Sequence, residues 1–524
     1  MFESFYYYAS LQFEDDNMTQ KVIIIGAGIG GLATANLLAK KGYEVHVYEK
    51  ASKPGGRAGQ KRENGFTFDT GPSWYLMPQV FKDYFSLFER DIEKELDVRP
   101  LHPAYKVFFE SHAPVTIHGD LQKDRNTFED IEAGAGEALQ QYVDKGTNIY
   151  QLAMKHFLYT DFSRLGHLMK KEIIGGSAQL VKLLTKPIHS HVSQYFRSPE
   201  LQKILEYPMV FLGTSPFKAP AMYSLMSALD FNEGVFYPKR GMYSIIELLI
   251  SIGKHHNVAY HYESDVTHIL HEGKNATGIT LSDGTVHTAD IIVSNADIHH
   301  TETKLLDQSA RSYPEKYWET KEAGISALLV YLGVKGQLPQ LEHHNLYFVD
   351  AWKENFETIY DTKKMPLSAS LYVSRTTATD PSTAPKNHEN LFMLVPLPTG
   401  TFLTDKEQLG LATHFVNQFA KVIDQPDLET RIVSRSVFGP KDFHDSFNAW
   451  EGTALGMSHV LKQSALWRIP PQSKKLKNLF YVGANTMPGI GLPMCLISAE
   501  VVYKRIVGDR TSGPLIKQQR GNQL

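Results

Sequence analysis

One short run constrains this chain more than any other: Gly26-Ala27-Gly28-Ile29-Gly30-Gly31, a G-x-G-x-x-G sequence set between an apolar segment and an amphipathic one. Residues 21–25 (KVIII) are almost continuously apolar, as a parallel strand covered on both faces must be. Residues 31–41 (GLATANLLAKK) carry helical spacing and stop at Gly42, which suits a C-terminal cap. Residues 44–48 (EVHVY) alternate as a second strand does, so the three segments predict one βαβ unit. In such a unit Gly26 permits the tight turn, Gly28 lets backbone approach a pyrophosphate, and Gly31 lets the helix close on the strand. The pyrophosphate then lies at the positive end of the helix, in a cradle that includes Ala27, Ile29 and Gly30. Glu49 ends the second strand, with Lys50 beside it, where a carboxylate accepts both hydroxyls of a ribose. The unit therefore binds a dinucleotide.

Residues 53–59 (KPGGRAG) decide which one. Two glycines and Arg57 come directly after the acid-bearing strand, and a guanidinium there offsets pyrophosphate charge with paired donors. The arrangement resembles the long-chain FAD oxidoreductases, a group that includes amine oxidases and carotenoid desaturases. Residues 478–499 (NLFYVGANTMPGIGLPMCLISA) narrow the likeness to the closing segment of the bacterial and fungal phytoene desaturase family. Residues 67–74 (TFDTGPSW), 234–242 (GVFYPKRGM, with Arg240 where the family places a glycine), 294–297 (SNAD), 343–345, 380–385 and 391–398 resemble further family segments in the same order. The resemblance is collinear from about 21 to 507.

That resemblance implies an α/β (α+β composite) fold with three parts. A discontinuous Rossmann-like FAD domain takes residues 18–75, 235–300 and 475–508. A largely helical, membrane-facing lid takes 76–234, and a mixed-sheet substrate domain takes 301–474. It also implies that Gly26, Gly28, Gly31, Glu49 and Arg57 hold the ADP part of FAD and that the Val266 backbone meets the adenine. Gly483 and Asn485 then fall at the ribityl-pyrophosphate region. Pro493 and Met494, opening the last helix, fall beside the flavin, where a helix N-terminus stabilises negative charge on the reduced ring. The implied substrate is a C40 or C30 polyene of the phytoene type. Its electrons pass to FAD and then to a quinone or oxygen.

The pattern of the remaining residues agrees with this division. Residues 80–240 read as mostly helical with breaks at Gly175-Gly176 and Pro208. Val258–Ile269, Ala276–Leu281 and 289–293 read as strands, with a hairpin turn at Ser282-Asp283-Gly284. Further strands are predicted near 326–334, 368–374, 391–396 and 479–483, and a last helix over 493–506. Residues 1–17 read as a disordered extension and 509–524 as a loose tail.

Composition and spacing add further limits. A net charge of -3 argues against a partner held through nucleic-acid phosphates. The single cysteine, Cys495, makes no intramolecular disulfide and fits a reducing, cytoplasmic compartment. No spacing suggests a metal site. No run reaches the roughly 18–20 apolar residues of a membrane span. Residues 141–200 nevertheless interleave eight Lys/Arg and four Asp/Glu with apolar runs. Such a surface is either a solvated helical lid or, as the resemblance favours, a face lying on anionic lipid as a peripheral attachment.

Desaturation removes a hydride and a proton from adjacent carbons, and the flavin takes the hydride. Asp161 and Arg164 lie in a segment resembling the family's acid-base region and are the candidate catalytic pair. His343 and His344 either line the substrate domain or are structural. Three alternatives share these motifs: a carotenoid terminal oxidase, ketolase or isomerase on the same scaffold; a flavin amine oxidase, with Cys495 placed for a covalent flavin link; and a carotenoid- or lipid-binding protein that keeps FAD without catalysis.

Overall fold

The computed structural model describes residues 19–162 and 177–515. The N-terminal extension to residue 17, Arg164, the Gly175-Gly176 break and the tail beyond 515 lie outside the described residues.

The βαβ unit forms where the apolar pattern places it, as strand Lys21–Ile25, helix Ile29–Lys41 and strand Glu44–Tyr48. The helix begins two residues earlier than its apolar spacing predicts, because Ile29 and Gly30 are absorbed into its first turn. Gly42 ends it in the left-handed region at φ 104°, donating its N–H to Ala39 O. Three segments from elsewhere in the chain complete a five-stranded, all-parallel sheet in the order Leu479–Tyr481, Ile291–Ser294, Lys21–Ile25, Glu44–Tyr48, Ala259–His261. Helices Tyr243–His255 and Leu492–Val507 pack against helix Ile29–Lys41.

The expected single strand from Val258 to Ile269 is two. Ala259–His261 closes the edge of the parallel sheet, while Val266–Glu272 leaves it to form an antiparallel sheet with Asn275–Leu281 and Val286–Thr288. The turn at Ser282-Asp283-Gly284 joins the last two strands, with Gly284 at φ 84°.

A seven-stranded mixed sheet makes the second layer, in the order Ile432–Phe438, Ser326–Lys335, His388–Leu397, Leu371–Arg375, His344–Phe348, Tyr105–Phe109, Val115–Ile117. Ser326–Lys335 is buried on both faces except at Lys335, as its uninterrupted apolar run requires. Gly333 gives room for a hairpin from the nucleotide side: a Cβ there would meet the Phe66 ring at 2.3 Å. The last two strands come from the region expected to be largely helical. Tyr105–Phe109 pairs in parallel with His344–Phe348, so a segment from 76–234 extends the seven-stranded sheet. A five-residue run such as YKVFF does not by itself distinguish a strand from a buried helical turn; the open edge of a distant sheet decides it.

The rest of that region is helical, including Leu121–Ile131, Ala135–His156, Pro199–Glu206 and Ser224–Asn232. Pro208 separates Pro199–Glu206 from the short helix Pro208–Phe211. This helical region is pinned to the region of the seven-stranded sheet through Glu206. This fully buried carboxylate accepts from Trp352 Nε1 at 2.8 Å and lies 2.8 Å from His189 Nδ1. Residues 509–515, expected to be loose, are tied to the last helix: Leu515 N–H donates to Glu500 at 2.7 Å and Lys504 donates to Thr511 O at 3.4 Å.

Candidate cofactor and substrate site

The carboxyl ends of the parallel strands converge on one crevice, the place where open α/β sheets bind ligands. Ile25 leads into the glycine loop, Tyr48 into Glu49, Ser294 into Asn295, and Tyr481 into Gly483. Gly26 adopts φ 96° and donates its N–H to Tyr48 O at 2.7 Å. A Cβ on Gly31 would lie 2.3 Å from Gly26 O, so only glycine permits this approach of helix to strand. Gly28 caps the helix with extended backbone and no side chain over the N-terminus. Ala27 and Ile29 are buried beside it. Glu49 is fixed by two backbone donors: Ala27 N–H at 2.7 Å and Ala51 N–H at 2.9 Å. The chain returns past it, with Ser264 N–H donating to Glu49 O at 2.9 Å just before buried Val266. Lys50 points elsewhere, donating to Asp445 O at 2.8 Å and thereby joining the nucleotide domain to the substrate domain.

The second glycine loop lies against the first. Gly55 adopts φ 122° and donates to Ala27 O at 2.9 Å, and Gly56 adopts φ 55°. Arg57 follows. Its Nη2 donates to Thr453 O at 3.1 Å, its guanidinium stands 5.3 Å from the Phe447 ring centre, and its Nε is buried with no protein partner. Burial pulls the Arg57 pKa down, against the opposing pull of Asp297 and Cys495. A buried guanidinium N–H aimed at no acceptor, beside glycines that carry no side chain into the space before it, fits a diphosphate.

Asn295 occupies the centre of this cradle and was not singled out by sequence reading beyond its place in SNAD. Its side chain lies 2.7–2.8 Å from where Cβ atoms on Gly28, Gly30 and Gly483 would be. Those glycines are therefore required by the asparagine as well as by any ligand. Two residues on, Asp297 accepts from Asn485 Nδ2 at 2.9 Å, while Asn485 Oδ1 accepts from Met457 N–H at 3.1 Å. Asn485 is thus fixed at both ends. Gly483 adopts φ 105° and donates to Ser498 Oγ at 3.1 Å.

The last helix, Leu492–Val507, starts after Gly491 at φ 126°, with Pro493 and Met494 half-buried in its first turn. Arg468, fully buried, holds the preceding loop through the carbonyls of Thr486 at 2.9 Å and Ala484 at 2.5 Å. Burial lowers its pKa to about 10. No sequence motif marks this arginine; its role exists only once the loop folds over it. Burial pushes the Cys495 thiol up to about 12, partly offset by Arg57 and Arg468, so it is protonated at neutral pH.

A buried acid sits behind the Arg57 loop. Asp69 accepts from the Tyr237 hydroxyl at 2.5 Å and from Met242 N–H at 3.0 Å. Tyr243 then donates to Pro54 O at 3.3 Å and its ring lies 3.1 Å from a Cβ position on Gly55. This tie joins the FDTGP and YPKRGM segments and gives both a physical reason. The Tyr237 ring also meets His343 in a tilted contact, with ring centres 4.3 Å apart. His343 and His344 are both buried, and burial lowers both pKa values, that of His343 to about 3. His344 opens the strand His344–Phe348, bonds the Tyr372 hydroxyl through Nδ1 at 2.7 Å and stacks on Trp74 at 4.3 Å, so with His343 beside it the pair belongs to an aromatic wall.

Asp161 falls elsewhere. Its carboxylate pairs with Arg505 at 3.4 Å. Arg505 follows Met494 by eleven positions, about 17 Å along the helix axis at 1.5 Å per residue. Its candidate partner Arg164 lies outside the described residues.

Parallel sheet, glycine cradle and helix N-terminus together define an FAD-dependent oxidoreductase. Residues 29–502 match the model of the flavin containing amine oxidoreductase family. The chain is 37% identical over 492 residues to a carotenoid 3,4-desaturase of Haloarcula japonica, covering 94% of this chain and 98% of that one. It is 33% identical over 491 residues to a zeta-carotene-forming phytoene desaturase of Myxococcus xanthus, covering 93% and 94%. Among solved structures it resembles an oxidoreductase from Methanosarcina mazei (TM-score 0.59, 16% identity, 92% of this chain and 100% of that one). It also resembles the cyclohexylamine oxidase of Brevibacterium oxydans (TM-score 0.56, 13% identity, 94% and 99%). The chain belongs to the carotenoid desaturases within the flavin containing amine oxidoreductase family.

Proposed function

We propose that this enzyme desaturates a carotenoid precursor, a C40 or C30 polyene of the phytoene type, in carotenoid biosynthesis. The observation that carries the reading is the identity to two carotenoid desaturases along nearly the whole of all three chains. The likeness to amine oxidases rests on 13% identity and speaks for the fold alone.

In this reading the loop Gly26-Ala27-Gly28-Ile29-Gly30-Gly31 would cradle the diphosphate at the helix N-terminus, with Gly26 and Ala27 shaping it while their N–H groups bind Tyr48 O and Glu49, and Arg57 would donate its unpaired Nε–H. Glu49 receives the ribose hydroxyls, with the Val266 backbone beside the adenine. Gly483 and Asn485 meet the ribityl chain, and Pro493 and Met494 meet the ring. FAD supplies a hydride acceptor. The protein positions the polyene against it and excludes water, work suited to the wall of Trp74, His344 and Tyr372. Asp161, paired with Arg505, serves better as an anchor of the lid to the last helix than as the proton acceptor. A quinone or oxygen takes the electrons onward. Among the described residues no helix is long and apolar enough to cross a membrane; in this reading the polyene is drawn from a bilayer by peripheral contact.

Expression in cells that make phytoene or diapophytoene tests the proposal. New long-wavelength polyene bands are the expected outcome, and their positions count the desaturation steps. Unchanged precursor beside folded, FAD-loaded protein refutes it.

A further inference from the structure

We propose that helix Ser177–Thr185 and the turn at residues 461–467 form one face that docks on the anionic surface of a lipid bilayer. The inference rests on the polyene reading above and gives its membrane contact a location.

These segments are distant in sequence and meet at the 219–223 turn. Ala221 N–H donates to Lys186 O at 2.8 Å, just past the helix, and the Tyr223 hydroxyl donates to Ser464 Oγ at 3.0 Å. On either side of this junction large apolar side chains face solvent: Val181 at 58% exposure, Leu466 at 41% and Trp467 at 54%. Trp467 stands apart from Trp318 and Trp352, which are buried. An exposed indole beside a leucine suits the boundary between headgroups and acyl chains, where one edge of the ring stays wet.

The charged groups that act on Lys186 and His191 are lysines. Lys182 is exposed and Lys186 half-buried, and Lys182 adds to the burial that lowers the Lys186 pKa. Burial holds His191 neutral with a pKa of about 4, and Lys186, Lys145 and Lys182 all push in the same direction. Among the described residues no carboxylate forms an ion pair with any of these three lysines. Like charges gathered beside exposed apolar groups, with no carboxylate ion-paired to them among the described residues, complement an anionic lipid surface.

The face also adjoins the reaction site. The turn at 461–467 runs between His459, whose ring lies 2.4 Å from a Cβ position on Gly489, and Arg468, which holds the Ala484 and Thr486 carbonyls. A polyene leaving the bilayer at this turn is thus next to the loop that precedes the last helix.

FAD-loaded full-length protein mixed with vesicles tests the assignment. One vesicle set is phosphatidylcholine alone; the other contains an equal part of phosphatidylglycerol. Binding is read by co-sedimentation and by tryptophan emission. The expected result is salt-sensitive binding to the anionic set with a blue shift. Lys182→Gln/Lys186→Gln should weaken it roughly thirty-fold. Trp467→Ala should weaken it roughly ten-fold and remove the shift. Both variants should retain FAD and wild-type turnover of polyene supplied in detergent micelles. Wild-type binding by both variants overturns this face, and so does a wild-type protein that ignores both vesicle sets. Neither result touches the desaturase reading, which the micelle assay of the wild-type protein tests separately.

Discussion

Asp69→Ala probes the tie that holds the Arg57 loop in place. The carboxylate is 8% exposed and accepts from the Tyr237 hydroxyl at 2.5 Å and Met242 N–H at 3.0 Å, with Tyr243 N–H at 3.4 Å. Alanine leaves the first two donors buried and unpaired. Each such loss costs roughly 1–3 kcal/mol, so the two together cost about 2–6 kcal/mol. That is a large share of the roughly 5–15 kcal/mol that holds a domain folded. Asp69→Asn keeps one acceptor oxygen and should lose about 1–3 kcal/mol. The second effect is local. Releasing the Met242-Tyr243 corner loosens the Tyr243 contact with Pro54 and Gly55, and with it the loop that aims Arg57. FAD affinity should fall about ten-fold, the equivalent of about 1.4 kcal/mol. Urea unfolding of the deflavinated protein by far-UV circular dichroism gives the first quantity, and FAD titration by fluorescence gives the second. An Asp69→Ala variant with the wild-type urea midpoint and wild-type FAD affinity would refute the clamp.

Four further outcomes follow from the geometry. Gly31→Val places a side chain within 2.3 Å of the Gly26 carbonyl and should cost about 3 kcal/mol or more, giving protein without flavin absorbance; a yellow, stable variant contradicts the close approach. Glu49→Ala should lower FAD occupancy, both through the ribose and by freeing Ala27 N–H; equal retention of FAD means the adenosine lies elsewhere. Asp161→Asn breaks a half-exposed pair with Arg505, so stability should change by less than about 1 kcal/mol and desaturation should persist. Abolished turnover with intact FAD binding would restore Asp161 as a catalytic candidate. Asp230 is buried, and burial raises its pKa from 3.8 to about 7 despite the Tyr207 hydroxyl bond. The folded state therefore holds its proton more tightly than the unfolded state. That contribution is present below about pH 4 and is lost as pH rises toward 7. Asp230→Asn should flatten this part of the stability profile; parallel unfolding-pH curves for the two proteins would show that the group titrates normally.

The sequence by itself determined the nucleotide half. Lys21–Ile25, Glu44–Tyr48 and the cap at Gly42 fall where apolar period and turn chemistry put them, because a βαβ unit is specified by neighbours close in the chain. The glycine loop and Glu49 were legible for the same reason. Arg57 was legible as a residue type, but its buried, unpaired Nε appears only when Thr453, Phe447 and Asp297 close around it. Tertiary structure alone decided the rest. Tyr105–Phe109 became a strand because His344–Phe348 offered an edge, and Val258–Ile269 split because its two ends pair with different sheets. Asp161 pairs with Arg505 near the C-terminal end of the last helix, a contact that no spacing in the sequence announces. Asn295, Arg468 and Asp69 gained their roles from partners brought close only by folding. Local pattern fixes what a segment prefers; non-local pairing and the need to satisfy each buried polar group fix which segments meet.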